Sequence, residues 1–246
     1  MSVSFTKILH MARSGMLSRL LNLDICSNNL TNVNTTGFKR TRANFQELLQ
    51  EKLVNGTELK STQRLMDQGA LRQTDQPLDL AIMGEGFFKV KLPNDDTAYT
   101  RDGEFRLDAD RQIVNASGYA LDWQGQIPED ATDINVAEDG TVWVLVGGEW
   151  QEAGNIELVT FPNPSGLQNY GQNLYLETEI SGEPQSGAPN SEGFGKIVGK
   201  SLEQSNVNLA EEMTQMIVLQ RSFEICLRTF QDTDQMLYQA IHMRRG

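Results

Sequence analysis

Ten positions near the C-terminus, Leu209, Met213, Met216, Gln220, Phe223, Leu227, Phe230, Asp234, Leu237 and Ile241, follow strict four-three spacing, the a/d seam of a helix that packs on other helices. Eight of the ten are apolar. The exceptions, Gln220 and Asp234, weaken a seam yet can set its register and strand number. Asn208, with Glu211 three residues on, reads as an N-cap and capping box. The opposite end mirrors this pattern: Leu9, Ala12, Met16, Leu20, Leu23, Ser27 and Leu30 form a narrower stripe that Phe5 and Ile8 extend. That helix runs out in Asn28, Asn29, Thr31, Asn32, Asn34, Thr35 and Thr36, whose short polar side chains compete with the helical backbone, and Gly37 supplies a turn. Helices are therefore expected over residues 5–33 and 207–243. Seams this narrow suit helix-on-helix packing better than burial on a sheet, which wants a wider apolar face.

The middle reads differently. A short helix is expected over 42–54, where Phe45, Leu48, Leu49 and Leu53 share a face before Asn55-Gly56. From Leu80 onward the signals are strands: Phe88, Val90 and Leu92 alternate with Lys89 and Lys91, and a turn follows at 93–96. Asp102-Gly103, Ser117-Gly118, Asp139-Gly140 and Gly147-Gly148 punctuate strand candidates at 104–108, 112–116, 141–146 and 155–161. Gly, Ser or Pro fill nine of the fifteen positions 181–195, which reads as a linker. The expected fold class is α+β: N- and C-terminal helices packed as a coiled-coil-like pair, with an inserted antiparallel all-β domain. Its layout is a discontinuous helical domain of 1–36 plus 201–246, a connecting segment 37–79, a β-rich outer domain 80–180 and a return linker 181–200.

Charge follows the same division. Residues 1–60 carry +4, residues 61–206 carry −15 and residues 207–246 carry −1, against −12 for the chain. An acidic middle excludes nucleic acid as the expected partner, since phosphate binding needs a basic footprint. No apolar run reaches 18 residues and no signal-peptide pattern follows the start, so neither membrane insertion nor a cleaved leader is expected. Cys26 and Cys226 sit one in each helix. If the helices leave the middle side by side, the thiols lie roughly 18 Å apart along the axis, too far for a disulfide. Free thiols are expected.

Catalytic patterns are missing. His10 and His242 lack a Cys, Asp or Glu at i+3 or i+4 to share a metal, Gly84-Glu85-Gly86 has no third glycine, and Asp108/Asp110 lack the rest of a calcium loop. No catalytic, metal or cofactor residues are assigned, and the expectation is a non-enzyme. Trp123, Trp143 and Trp150 offer two readings, members of the β core or an aromatic platform of a secreted binding module.

The stretch Asn28-Asn29-Leu30-Thr31-Asn32-Val33-Asn34-Thr35-Thr36-Gly37-Phe38-Lys39-Arg40 resembles the signature that follows the N-terminal helix in the bacterial flagellar rod and hook family. The likeness continues through Pro77-Leu78-Asp79-Leu80-Ala81-Ile82, Gly84-Glu85-Gly86-Phe87-Phe88, Tyr99-Thr100-Arg101-Asp102-Gly103, Ser117-Gly118-Tyr119, Gly171-Gln172-Asn173-Leu174-Tyr175 and Leu202-Glu203-Gln204-Ser205-Asn206-Val207-Asn208. It then covers Glu211-Glu212-Met213 and Gln220-Arg221, and is greatest to subunits of the distal rod. A stretch between Phe45 and Gly69 shorter than such subunits carry leaves a proximal-rod or hook-related paralogue open.

The resemblance implies a subunit without cofactor or catalysis, exported by the flagellar type III apparatus and polymerised into a hollow helical shaft. Its partners would be copies of itself, other rod and hook subunits, and ring proteins acting as a bushing. The terminal helices would line the channel and the shaft would carry motor torque. Self-assembly is expected to use Leu9, Met16, Leu20, Leu23, Leu30, Leu209, Met213, Met216, Phe223, Leu227, Phe230 and Leu237. The signature residues are Asn28, Asn29, Asn32, Asn34, Thr36, Gly37 and Phe38.

Overall fold

Both terminal helices form close to where the spacing puts them. The computed structural model describes residues 2–48, 56–94 and 96–243, with α1 at Ser2–Thr31 and α2 at Leu209–Met243. Asn208 caps α2 as its type and position require: its Oδ1 accepts from the N–H groups of Ala210 (3.1 Å) and Glu211 (3.4 Å).

Contacts divide the chain into two compact units. The first comprises Met1–Asn32, Arg40–Leu65 and Val207–Gly246. In it α1 and α2 pack on each other, and α1 also packs on an antiparallel hairpin, β1 (Thr41–Leu48) and β2 (Gly56–Arg64), with a bulge between Asn44 and Phe45. The expected helix over 42–54 is thus corrected: residues 42–48 are strand, and 49–54 lie outside the described residues. Four apolar side chains at helical spacing could not outweigh a partner strand whose paired residues lie 8 to 23 positions further along, because strand formation is decided by pairing more than by local pattern.

The second unit, Val33–Lys39 and Met66–Asn206, is β-rich. Its strands are β3 (Leu71–Gln73), β4 (Leu80–Met83), β5 (Phe88–Lys91), β6 (Thr97–Thr100), β7 (Phe105–Leu107), β8 (Ile113–Asn115), β9 (Ala120–Leu121) and β10 (Gln124–Gly125). There follow β11 (Ala131–Val136), β12 (Thr141–Val146), β13 (Glu149–Asn155), β14 (Leu158–Thr160), β15 (Gln168–Gly171), β16 (Leu174–Leu176), β17 (Gln185–Gly187), β18 (Lys196–Gly199) and β19 (Ser201–Glu203). One sheet runs β15-β16-β6-β5-β9-β8-β7 and another β10-β13-β12-β11, and every pairing is antiparallel. The alternation at Phe88, Val90 and Leu92 is real burial, at 0%, 0% and 4% exposure. Neighbouring Phe87 joins the opposite face, where it meets Phe161 and Tyr175 edge-on, while Phe88 meets Phe105. The large sheet is therefore covered by side chains on both faces. The stretch expected as a linker carries β17 and β18, paired with β14 and β4. Its glycines and serines serve turns between short strands rather than slack.

No helix of the described residues is long and apolar enough to cross a membrane.

Candidate assembly surface and its anchoring cores

The two helices run antiparallel. A Cβ placed on Gly15 would lie 3.5 Å from Cys226 Sγ, and Asn29 Nδ2 reaches Glu212 Oε2 at 3.4 Å. Cys226 thus sits beside Gly15, eleven residues or roughly 16 Å along the axis from Cys26, and both thiols are free. The faces in contact are made of small and polar side chains. On α1, Ala12, Ser18, Cys26 and Asn29 are buried; on α2, the buried residues are Glu212, Leu219 and Thr233, seven or fourteen apart on one column that includes Cys226.

The seam residues lie to one side of that column. Met216, Phe223 and Phe230, four residues beyond each inward position, are half-buried, whereas Met213, Gln220, Leu227 and Asp234, one residue beyond, are exposed. Leu209 is exposed too. On α1, Met16, Leu23 and Leu30 are half-buried and Leu20 is 44% exposed. Leu9 and Leu237 fall on the helices, and their side chains lie outside the described residues. The stripe read from spacing is thus only flanking to the contact inside one chain, and much of its hydrocarbon is left facing outward.

Beside this face lies a polar lock. Buried Asn29 pairs with the backbone of Thr41 in both directions, Nδ2 donating to the carbonyl and Oδ1 accepting the N–H, each at 2.9 Å. Arg40 Nε lies 2.5 Å from the fully buried Glu212 carboxylate. Cys26 packs against the same group, and burial together with that negative charge pushes its thiol up to about 12.

A second charged core lies within the β-rich unit. Glu203, 0% exposed, takes Lys39 Nζ at 2.7 Å on Oε1 and Arg101 Nη1 at 3.4 Å on Oε2, and Gly69 N–H donates to the same Oε1 at 2.8 Å. Lys39 also donates to the carbonyl of Asp67 and Arg101 to that of Gly84, with the guanidinium 5.2 Å from the centre of the Phe87 ring. Burial pushes Lys39 and Arg101 below their usual values, and Glu203 opposes the shift in both. Around this core sit further signature residues. Gly37, at φ 66°, brings its Cα so close to Asp102 that a Cβ would lie 2.6 Å from that backbone nitrogen. Phe38 is buried, and the Thr36 carbonyl accepts Asn173 Nδ2. Asn28 and Asn34 stay exposed, and Asn32 folds back on the Asn28 carbonyl. Spacing alone did not single out Arg101, Glu203 or Glu212. Glu203 ends the short strand Ser201–Glu203, Arg101 follows β6 and Glu212 lies in the first turn of α2, positions where charged side chains are ordinarily solvated.

Asp102, close by, is raised to about 6, chiefly by burial. In an unfolded chain an aspartate titrates at about 3.9. The folded protein therefore holds that proton more tightly between these values, so stability falls as pH rises from 4 to 6 and the penalty is complete above pH 6. Asp102→Asn keeps an oxygen to accept from Glu104 N–H and is expected to raise the unfolding free energy by about 2 kcal/mol at pH 7.5 and by little at pH 4. Urea titrations at both pH values check this; an equal effect at both would contradict it.

The tryptophans are not brought together. Trp123 packs on the core, Trp143 is half-buried and Trp150 is 48% exposed, with no ring contact among them in the described residues. Among the described residues no group of three His, Cys, Asp or Glu is placed to hold a metal.

Three family models match the chain: Flagella basal body rod protein over residues 9–39, Flagellar hook protein FlgE/F/G D1 domain over 81–144, and Flagellar basal body rod FlgEFG protein C-terminal over 198–243. The flagellar basal-body rod protein FlgG of Buchnera aphidicola subsp. Acyrthosiphon pisum is 40% identical, covering 93% of this chain and 96% of that protein. Those of Borreliella burgdorferi (40%; 95% and 97% covered) and Caulobacter vibrioides (38%; 96% and 98%) are similar at nearly full length.

Proposed function

The chain belongs to the flagellar basal-body rod protein FlgG family, and from that premise we infer that it polymerises with its own copies into a hollow helical shaft whose channel is lined by α1 and α2. It is a structural subunit of the basal-body rod, in a family of structural rather than catalytic proteins. The observation that supports polymerisation through the helices is where exposed hydrocarbon lies. Of sixteen large apolar side chains exposed among the described residues, twelve are on α1 or α2, including Met11, Leu17, Ile217, Val218, Ile225 and Met236. Among the described residues, the buried hydrophobic side chains on the same helices are Ala12, Cys26 and Leu219. A helix pair held by so little apolar burial is marginal on its own. Covering each half-exposed side chain against a neighbouring copy contributes about 1 kcal/mol, and coiled-coil-like packing between copies would use the Met213–Leu227 column.

The shaft passes motor torque to the hook, and its other partners are further rod and hook subunits, the type III export apparatus and ring proteins. The acidic surface of the β-rich unit suits a rotating part, since like charge on a surrounding ring limits adhesion. Electron microscopy of the purified full chain tests the assembly: hollow filaments are expected with time and concentration, and a chain that stays monomeric throughout overturns the reading.

A further inference from the structure

Uncommitted positive charge is scarce in the acidic β-rich unit, and nearly all of it is in one place. Lys39 and Arg101 are held by Glu203, Lys89 and Lys91 by Asp122, and Lys196 by Glu138. Lys200 apart, the basic residues that remain are Arg72, Arg106 and Arg111, and all three line one cleft of about 740 Å³. Neither Arg72 nor Arg106 has a side-chain hydrogen bond or ion pair among the described residues, and Arg111 gives one nitrogen to the Glu129 carbonyl. Leu78, Phe105 and Ile134 are buried side chains of the lining and form its apolar base, and Thr74 Oγ1, also of the lining, is buried without a hydrogen-bond partner. Asp79, Glu104 and Asp133 also face the cleft, so a bare anion gains little there. The site suits a segment that brings an apolar group for the base and carboxylates for the guanidiniums.

The same unit carries such a segment. Gly147 and Gly148, at φ 60° and 90°, turn β12 into β13, and a Cβ on either would meet nothing within 4 Å, so the tip projects freely. Glu149, Trp150, Gln151 and Glu152 follow, all exposed. Trp150, 48% exposed, shares one face of β13 with Glu152 while Glu149 projects from the other, a combination that complements the apolar side chains and the arginines of the cleft. It cannot fill the cleft of its own chain. Trp150 pairs with Leu145 and Leu145 with Asp133, so the sheet holds Trp150 two strands, roughly 10 Å, from the cleft wall.

We propose that the β12–β13 tip of one copy docks in the Arg72/Arg106/Arg111 cleft of a second copy, with Trp150 on the apolar base and Glu149 and Glu152 on the arginines. The two patches differ, so the contact is head-to-tail, the kind that extends a filament rather than closing a dimer. It rests on the reading that copies of the chain assemble, and adds a contact independent of the helices.

Charge reversal in the full chain tests it, with self-association followed by sedimentation velocity. E149R/E152R and R72E/R106E are each expected to weaken association about tenfold, and W150A, which changes no charge, by a similar factor. The combined quadruple reversal is expected to return it to within about threefold of the parent. All these side chains are exposed, and unchanged thermal midpoints verify folding. Parental association in every variant, or a quadruple variant no better than the doubles, overturns the docking while leaving the rod assembly standing. A parent chain that never associates overturns both.

Discussion

Glu203→Gln is expected to cost the β-rich unit about 3–5 kcal/mol, the range for removing one partner of a buried ion pair. The amide can still accept from Lys39 and Gly69, so geometry is largely kept while the negative charge is lost. Lys39 and Arg101 are then two cations at 1% and 6% side-chain exposure with no counter-charge at the centre. Burial already pushes both toward their neutral forms, and Glu203 is the group that opposes it. Against a domain stability of about 5–15 kcal/mol, the loss is a large fraction of the whole. Lys39→Met is expected to cost less, because Arg101 still neutralises Glu203. All three tryptophans lie in this unit, so urea unfolding followed by their fluorescence reports on it specifically. A midpoint unchanged in Glu203→Gln would show that the ionic core does not hold the unit.

The double variant Met213→Glu/Leu227→Glu is expected to abolish filaments and leave the fold of the free chain intact. These side chains are 50% and 38% exposed in one chain, so carboxylates there are solvated before assembly and surface changes of this kind shift stability by less than about 0.5 kcal/mol. In a filament each would be buried without a partner at a cost of several kcal/mol. Two such groups weaken association by more than about a thousandfold. Phe223 and Phe230 are less clean probes. They are half-buried beside the inward column, so their truncation to alanine would loosen the chain's own helix pair as well as the contact between copies. Filaments of parental length and number from the double variant would move the assembly surface elsewhere.

Local pattern carried the helices and most hairpins. Four-three spacing located α2, Asn208 its start, and the glycine turns at 139–140 and 147–148 the ends of β12. The antiparallel helix arrangement also followed from chain connectivity, with Gly15 rather than Cys26 beside Cys226. What stayed hidden depends on partners distant in the chain. Strand β1 exists because β2 pairs with it, and β17 and β18 because β14 and β4 do. The inward helix faces were obscured for a different reason: Ala12, Gly15, Ser18 and Cys26 are too small to stand out beside Met16 and Leu20, yet small residues let the helices approach closely. Glu203 was legible only as part of a family signature. Its role needs Lys39 and Arg101, 164 and 102 residues away.

The central claim is that the terminal helices are completed by neighbouring copies. Amide exchange on the free and the assembled chain tests it most directly. In the free chain, α1 and α2 are expected to exchange far faster than β4–β6, whose buried strands open only with the unit as a whole; in filaments, protection over residues 209–236 should rise by more than about a hundredfold. Protection of α2 in the monodisperse free chain equal to that of β4–β6, with no gain on assembly, would contradict the account.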